Sequence, residues 1–264
     1  APKAFRLIIF GLFKKVVVAA SLGSLVVDPF FDSPINFSAL DALIGIMGYA
    51  VQIYCDFSAY SDMATGFAAL LGYEFPNNFN QPYRATSLQD FWRRWHISLS
   101  NWLRDYLYVS LGGSRNGNLK TYRNLILTMA LGGLWHGASW NFLAWGMLHG
   151  VGLSIERIFG WQNKNYTNTS TKVLATTTVF VFICIGWVFF RSSDFEHAQS
   201  VFASLLVWNG KSALFSPFVG LMLFVGMGMH FVSDHVVQWV EVGLSSPMAT
   251  AFAMGVAIFL IVAM

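Results

Sequence analysis

A chain of 264 residues that is 55% hydrophobic and only 11% charged, with a mean hydropathy of +0.53, carries more apolar surface than a soluble core of that length needs. A net charge of +3 is too small to argue for nucleic acid, and Cys55 and Cys184, both in apolar stretches, offer neither disulfide nor metal-ligand spacing. The chain reads as all-α, a polytopic bundle of helices in contact with a lipid bilayer.

The candidate spans, in order, are Phe5 to Val27, Leu40 to Tyr54, Ala59 to Tyr73, Leu125 to Ile155, Val173 to Phe190, Leu214 to Val232 and Met248 to Met264, several near the ~20 residues that cross a bilayer. Lys14 and Lys15 interrupt the first, and Asp56 and Asp62 fall in the Leu40 to Tyr73 region; these segments are expected to be broken, tilted or partly re-entrant. Six residues apart on a helix, the two aspartates are rotated by about 240° and do not form a pair acting on one substrate. Each is expected to be neutralised by an arginine or capped by a hydroxyl such as Tyr60 or Ser61. The chain begins without an initiator methionine and ends inside an apolar run, so the bundle is expected to be incomplete at both ends, a single domain over residues 1–264 that forms the C-terminal part of a longer protein.

Between Arg84 and Arg123 lie seven basic residues against only Asp90 and Asp105. By the positive-inside rule, residues 84–123 form a cytoplasmic amphipathic helix and loop; the polar stretch Trp161 to Lys172 is then expected on the other side of the membrane. Ser87 followed by Asp90 is a capping-box-like start. From there Phe91, Trp92, Trp95, Leu99, Trp102, Leu103 and Tyr106 recur at three- and four-residue steps, the pattern of one helix at or wedged into the interface. His96 falls on its aromatic, inward face. Gly112, Gly113 and Gly117 lack a Walker or GxGxxG spacing and read as a turn.

The segment LGGLWHGASW places His136 about eleven residues into an apolar run, close to half the hydrocarbon thickness at ~1.5 Å per residue. An imidazole at that depth needs partners or a use. Gly132, Gly133 and Gly137 either admit a neighbouring helix or leave room for a substrate. A neutral imidazole is suited to take a proton from a hydroxyl. His149 reads as a packing or interfacial residue.

The run FWRRWHISLSNWLRDYLY, followed by LWHGA, with GLFKKVVVA near the start and GWVFFR ending at Arg191, resembles the bacterial branch of the membrane-bound O-acyltransferases, the branch of the alginate O-acetyltransferase membrane subunits. The resemblance implies a many-helix membrane fold with interfacial or re-entrant helices in the bacterial inner membrane. It also implies transfer of an acetyl group from a cytoplasmic thioester donor, acetyl-CoA or another, toward the hydroxyls of an extracytoplasmic polysaccharide, with no bound cofactor or metal and with periplasmic acetyltransferase proteins as partners. The family's near-invariant histidine maps onto His136, and a second onto His96. His136 is the expected general base; His96 orients the donor or stabilises developing charge; Trp95, Asn101 and Trp135 are expected to contact substrate. D-alanyl transfer to teichoic acid, a transporter and a non-enzymatic scaffold of a polysaccharide export complex are the alternatives. A transporter would carry inverted repeats, and no repeat at a fixed period is visible.

Overall fold

The computed structural model describes residues 2–208 and 210–243, with Ser246, Ala251, Gly255 and Phe259. The expected span from Met248 to Met264 lies, but for the last three of these, outside the described residues. Among the described residues every regular element is helical. Three helices among the described residues are long and apolar enough to cross a membrane, Pro2–Asp32, Ala39–Leu70 and Thr169–Arg191. The chain divides into two compact units, residues 1–32, 43–79 and 212–264 in one, and 33–42 and 80–211 in the other.

The first unit is built on α1 (Pro2–Asp32) and α2 (Ala39–Leu70). The lysines do not break α1. The helix absorbs them by widening into π turns over Phe13–Ala19 and Gly23–Val27, the single-turn bulges that helices use where a side chain must be re-aimed. The two doubtful segments after residue 39 are one continuous 32-residue helix. Glycines set the distance between α1 and α2: a Cβ on Gly11 would stand 2.6 Å from Met63 Cγ, and one on Gly66 2.9 Å from the Ala4 carbonyl oxygen. Along this seam Lys14 Nζ donates to Ser58 Oγ at 2.8 Å and to Asp62 at 2.6 Å, and Lys15 Nζ donates to Asp56 at 2.7 Å. The expected partners were arginine or local hydroxyls; they are instead the two lysines of the facing helix. Tyr60 is 68% exposed, and Ser61 accepts from Asn78. Successive lysines point about 100° apart, which matches the divergence of the two aspartates. The Leu214 to Val232 segment becomes α9 (Pro217–Gly228), started by Ser216, and a 3-10 turn that brings His230 onto the Tyr54 ring at 4.1 Å.

In the second unit Ser87 starts α3 (Leu88–Trp92), its Oγ accepting from the Asp90 N–H at 3.0 Å as the capping pattern predicts. Glu156 supplies the rest of that cap, accepting from the Leu88 and Gln89 N–H groups. The single helix expected over 87–106 does not form. The chain breaks at Arg93–His96, with His96 left-handed at φ +43°, and resumes as α4 (Ile97–Trp102), which passes into a π turn over Leu103–Tyr108. The break rotates the aromatic stripe out of register. Phe91 and Trp95 are buried, whereas Trp102 and Tyr106 are exposed and stack on each other at 5.6 Å. The glycine-rich stretch is a turn, held by Asn124 Nδ2 donating to the Leu111 and Gly113 carbonyls at 3.0 Å.

The apolar run Leu125 to Ile155 is two helices, α5 (Asn118–His136) and α6 (Trp140–Ile158), joined by a turn whose Ser139 caps α6. Glycines let the two backbones touch. A Cβ on Gly133 would collide with the Phe142 carbonyl oxygen, one on Gly146 with that of Met129, and one on Gly150 would lie 2.6 Å from Ile126 Cα, the small-residue seam of close membrane helix pairs. Because the hairpin returns the chain to the end at which it entered, the Trp161 loop lies beside the start of α3. Thr86, Leu88, Trp161 and Tyr166 line one cavity of 530 Å³. One long helix would have carried this loop to the far end of the pair from the basic segment; the structure has two helices instead, and the loop lies next to the start of α3. Asn168, a glycosylation-like match in the sequence, caps α7 (Thr169–Arg191) by accepting from the Ser170 N–H at 2.8 Å. α8 (Phe195–Ser204) follows, capped by Asp194.

Candidate functional site

His136 is the last residue of α5, not its middle. The helix is continuous from the start of the apolar run at Leu125 to His136, and the chain turns back there. The turn after His136 carries the chain into α6, and the far end of α7 returns to the same place, where Asn141 Nδ2 donates to the Ser192 carbonyl at 2.8 Å. Four aromatic rings surround the imidazole: Trp135 at 5.2 Å, Phe142 at 6.0 Å, Trp145 at 5.4 Å and Phe190 at 5.1 Å, centroid to centroid. The Trp145 and Phe190 rings meet it edge to face. No hydrogen bond joins either His136 nitrogen to another described residue. Of its neighbouring glycines, Gly133 admits α6, Gly132 faces the Leu103 side chain, and Gly137 faces the Phe142 ring.

His96 reaches this region through the break in the 87–106 segment. Ser87 and Glu156 tie the start of α3 to the end of α6; Trp92 and then Trp95 climb along α6 and α7, and the left-handed residue turns the chain. A left-handed histidine costs of order 1 kcal/mol, and such residues cluster at sites where geometry matters more than backbone comfort. The turn is held by Ser100, whose N–H donates to the His96 carbonyl at 2.9 Å and whose Oγ donates to the Trp95 carbonyl at 3.0 Å. His96 Nδ1 lies 3.3 Å from Ser98 Oγ. Burial, reinforced by the like charge of His136, pulls the His96 imidazole down to about 4. The two histidines, forty residues apart in sequence, thus lie within electrostatic reach.

Of the other expected site residues, Trp135 is 64% exposed and touches only the His136 ring among the described aromatic pairs. Trp95 is buried, with its ring 5.0 Å from Trp187, which in turn touches Trp145 and Phe190 of the His136 cluster. Asn101 is exposed and lines a separate 310 Å³ cavity between residues 89–108 and the α5–α6 pair.

Sequence reasoning missed the core of the cluster. His149 is wholly buried and accepts from Trp92 Nε1 at 3.3 Å through Nδ1, so its neutral form carries the proton on Nε2. That Nε2 and the Trp145 Nε1 are buried without a hydrogen-bond partner among the described residues, and both face Gly186, where an added Cβ would stand 3.1 Å from one and 3.5 Å from the other. Trp145, Trp187 and Phe190 connect the pair to His136. The signal was present: Trp145 and His149 are four residues apart, as are Gly146 and Gly150, and Gly186, Trp187 and Phe190 share one turn of α7.

Chemically, the arrangement offers an imidazole free to accept a proton, a second imidazole kept uncharged near it, and an aromatic enclosure. Among the described residues no three His, Cys, Asp or Glu side chains gather as a metal site would require.

The family model described as MBOAT, the membrane-bound O-acyltransferase family, matches residues 7–193. The chain is 45% identical over 211 residues to the peptidoglycan O-acetyltransferase of Helicobacter pylori, covering 79% of this chain and 40% of that protein. It is 46% identical over 198 residues to the probable alginate O-acetylase AlgI of Pseudomonas aeruginosa, covering 74% and 36%. It is 31% identical over 169 residues to the teichoic acid D-alanyltransferase of Bacillus subtilis, covering 60% and 43%. The chain spans about two fifths of the length of these curated relatives. His96, His136 and the aromatic cluster around them all lie within the matched stretch, and with a match over more than half its length the chain belongs to the membrane-bound O-acyltransferase family.

Proposed function

We propose that this chain is the histidine-bearing part of a membrane O-acetyltransferase that moves an acetyl group from a cytoplasmic thioester, acetyl-CoA or another, to hydroxyls of an extracytoplasmic polysaccharide. The observation that carries the reading is that His136, at the turn of the α5–α6 hairpin, has both ring nitrogens free of hydrogen bonds to the described residues, with His96 within electrostatic reach. His136 takes the proton of the acceptor hydroxyl as its oxygen attacks the acetyl carbonyl carbon. The carbon–sulfur bond then breaks, and the proton passes to the departing thiolate. General-base assistance contributes about 10²–10⁴ in rate; alignment of the two substrates supplies the remainder. His96, uncharged, positions the acyl group, and Trp135 flanks the reacting centre. O-acetylation is favoured over D-alanyl transfer by the higher identity to the two O-acetylating relatives. The protein works in the bacterial inner membrane with periplasmic acetyltransferase partners, and residues 84–123 face the cytoplasm.

The test uses the full-length protein. His136→Ala and His136→Gln should each accumulate in the membrane and abolish acetylation of the polymer; glutamine keeps hydrogen bonding but supplies no base. Acetylation by His136→Gln at near wild-type rate would sink the assignment. For the orientation, Ser114→Cys and Asn168→Cys should both react with an impermeant maleimide from the cytoplasmic side. Labelling of either from outside alone contradicts the placement.

A further inference from the structure

We propose that the 310 Å³ cavity between residues 89–108 and the α5–α6 pair binds an organic phosphate, gripped by Arg93 and Arg157. Three arginines line this cavity and no carboxylate does. Arg104 is already engaged, donating twice to the Asp105 carboxylate at 2.7 and 3.0 Å. Arg94, next to Arg93 in sequence, turns away to Asp90 at 2.8 Å. The guanidinium groups of Arg93 and Arg157 have no hydrogen bond or ion pair with any described residue. Two like charges facing one cavity repel, and an anion between them removes the repulsion.

The other lining groups narrow the class of anion. The planar guanidinium fork matches phosphate oxygens in pairs. Thr128 Oγ1, buried in the wall of the cavity and without a hydrogen-bond partner among the described residues, adds a neutral donor. Trp92, Leu103, Leu125, Met129 and Leu153 make up much of the remaining wall, a surface that suits carbon and not a hydrated ion. The volume is about ten times the ~30 Å³ share of one water molecule, room for a phosphate together with part of the chain attached to it. Trp92 joins this cavity to the histidine cluster, since its indole also donates to His149.

Such a phosphate ester has two sources, a soluble thioester-forming cofactor whose handle carries phosphate, or the headgroup of an anionic lipid. The proposal does not rest on the acyl-transfer assignment, because binding is read without turnover, in the full-length protein carrying His136→Gln. In nanodiscs of phosphatidylcholine alone, coenzyme A is titrated by calorimetry against pantetheine, which lacks the phosphates. In nanodiscs that also contain phosphatidylglycerol, lipid retention is read by native mass spectrometry. Arg93→Gln and Arg157→Gln should each weaken one of these interactions about tenfold or more, as loss of a charge-assisted bond does. Arg93→Lys and Arg157→Lys, which keep the charge, should lose less and control for folding. Arg84→Gln, outside the cavity, should change nothing. Coenzyme A binding lost in the glutamine variants identifies the soluble source; selective loss of phosphatidylglycerol identifies the lipid. If neither probe responds to Arg93 or Arg157 substitution more than to Arg84→Gln, the cavity is not a phosphate site.

Discussion

The α1–α2 seam and the histidine cluster both bury polar groups in an apolar surrounding, and they treat them in opposite ways. Along α1, Lys14 and Lys15 each meet an aspartate on α2, and Lys14 also reaches Ser58. Around His136 the neighbours are aromatic rings, and neither nitrogen is engaged by a described residue; His149 Nε2 and Trp145 Nε1 are likewise unfilled. A polar group satisfied by its own fold stabilises that fold. One left unsatisfied at a cost of roughly 1–3 kcal/mol is available to something that binds. Under the proposed function, the first region is structural and the second is where the chemistry takes place.

The largest expected effect is the loss of acetylation in His136→Gln without loss of protein. The matching change in the other region should do the reverse. Lys14→Met leaves Asp62 without its cation and should destabilise the protein by about 3 kcal/mol, the lower end for a broken buried pair because Asp62 keeps some access. Lys14→Met combined with Asp62→Leu should recover most of that. Thermal midpoints of the purified variants give the stability, and acetyl transfer per folded molecule should stay at wild-type level in both. A double variant as unstable as the single one would show that the pair is not the reason for the loss.

His96 combines both kinds of role, and glycine separates them. His96→Ala should lower transfer about 10²-fold, as removal of a positioning or charge-stabilising group does, and it retains the strained left-handed backbone. His96→Gly should lose the same activity yet be more stable than alanine by about 1 kcal/mol, because glycine adopts φ +43° freely. Equal stability of the two variants would mean that the backbone strain is not present.

The last test is in pH dependence. The folded value of His96, about 4, lies below the roughly 6.5 of an unfolded imidazole. The stability that depends on its neutral form is therefore complete above pH 6.5 and is lost as pH falls through 4. His96→Gln binds no proton, so between pH 6.5 and 4 it should lose less stability than the wild type. Parallel melting curves over that window would remove His96 from the set of buried neutral groups.

The legibility of the chain follows from the range of the interactions. The membrane class, the positions of most helices, the Ser87 cap and the two candidate histidines were all readable, because hydropathy, periodicity and capping act over a few residues. The 31-residue apolar run was misread because a hairpin and a span have the same hydropathy; only the contacts of Gly133, Gly146 and Gly150 across it reveal the fold-back. That one error hid that His136 stands at a helix end and separated the Trp161 loop from the start of α3, beside which it lies. The stripe from Phe91 to Tyr106 was likewise read as one helix because periodicity does not register a single left-handed residue.

Composition and local pattern therefore determined that this protein is a bundle of apolar helices with histidines and arginines held where lipid alone would not keep them. Tertiary structure decided their partners: lysines for the aspartates of α2, aromatic rings for His136, Trp92 for His149, and no described partner for Arg93 and Arg157. The physical reason is that burial is specified residue by residue along the chain, whereas the pairing of polar groups depends on which helices meet and at what register, and helix–helix register in a membrane is set by small-residue contacts far apart in sequence.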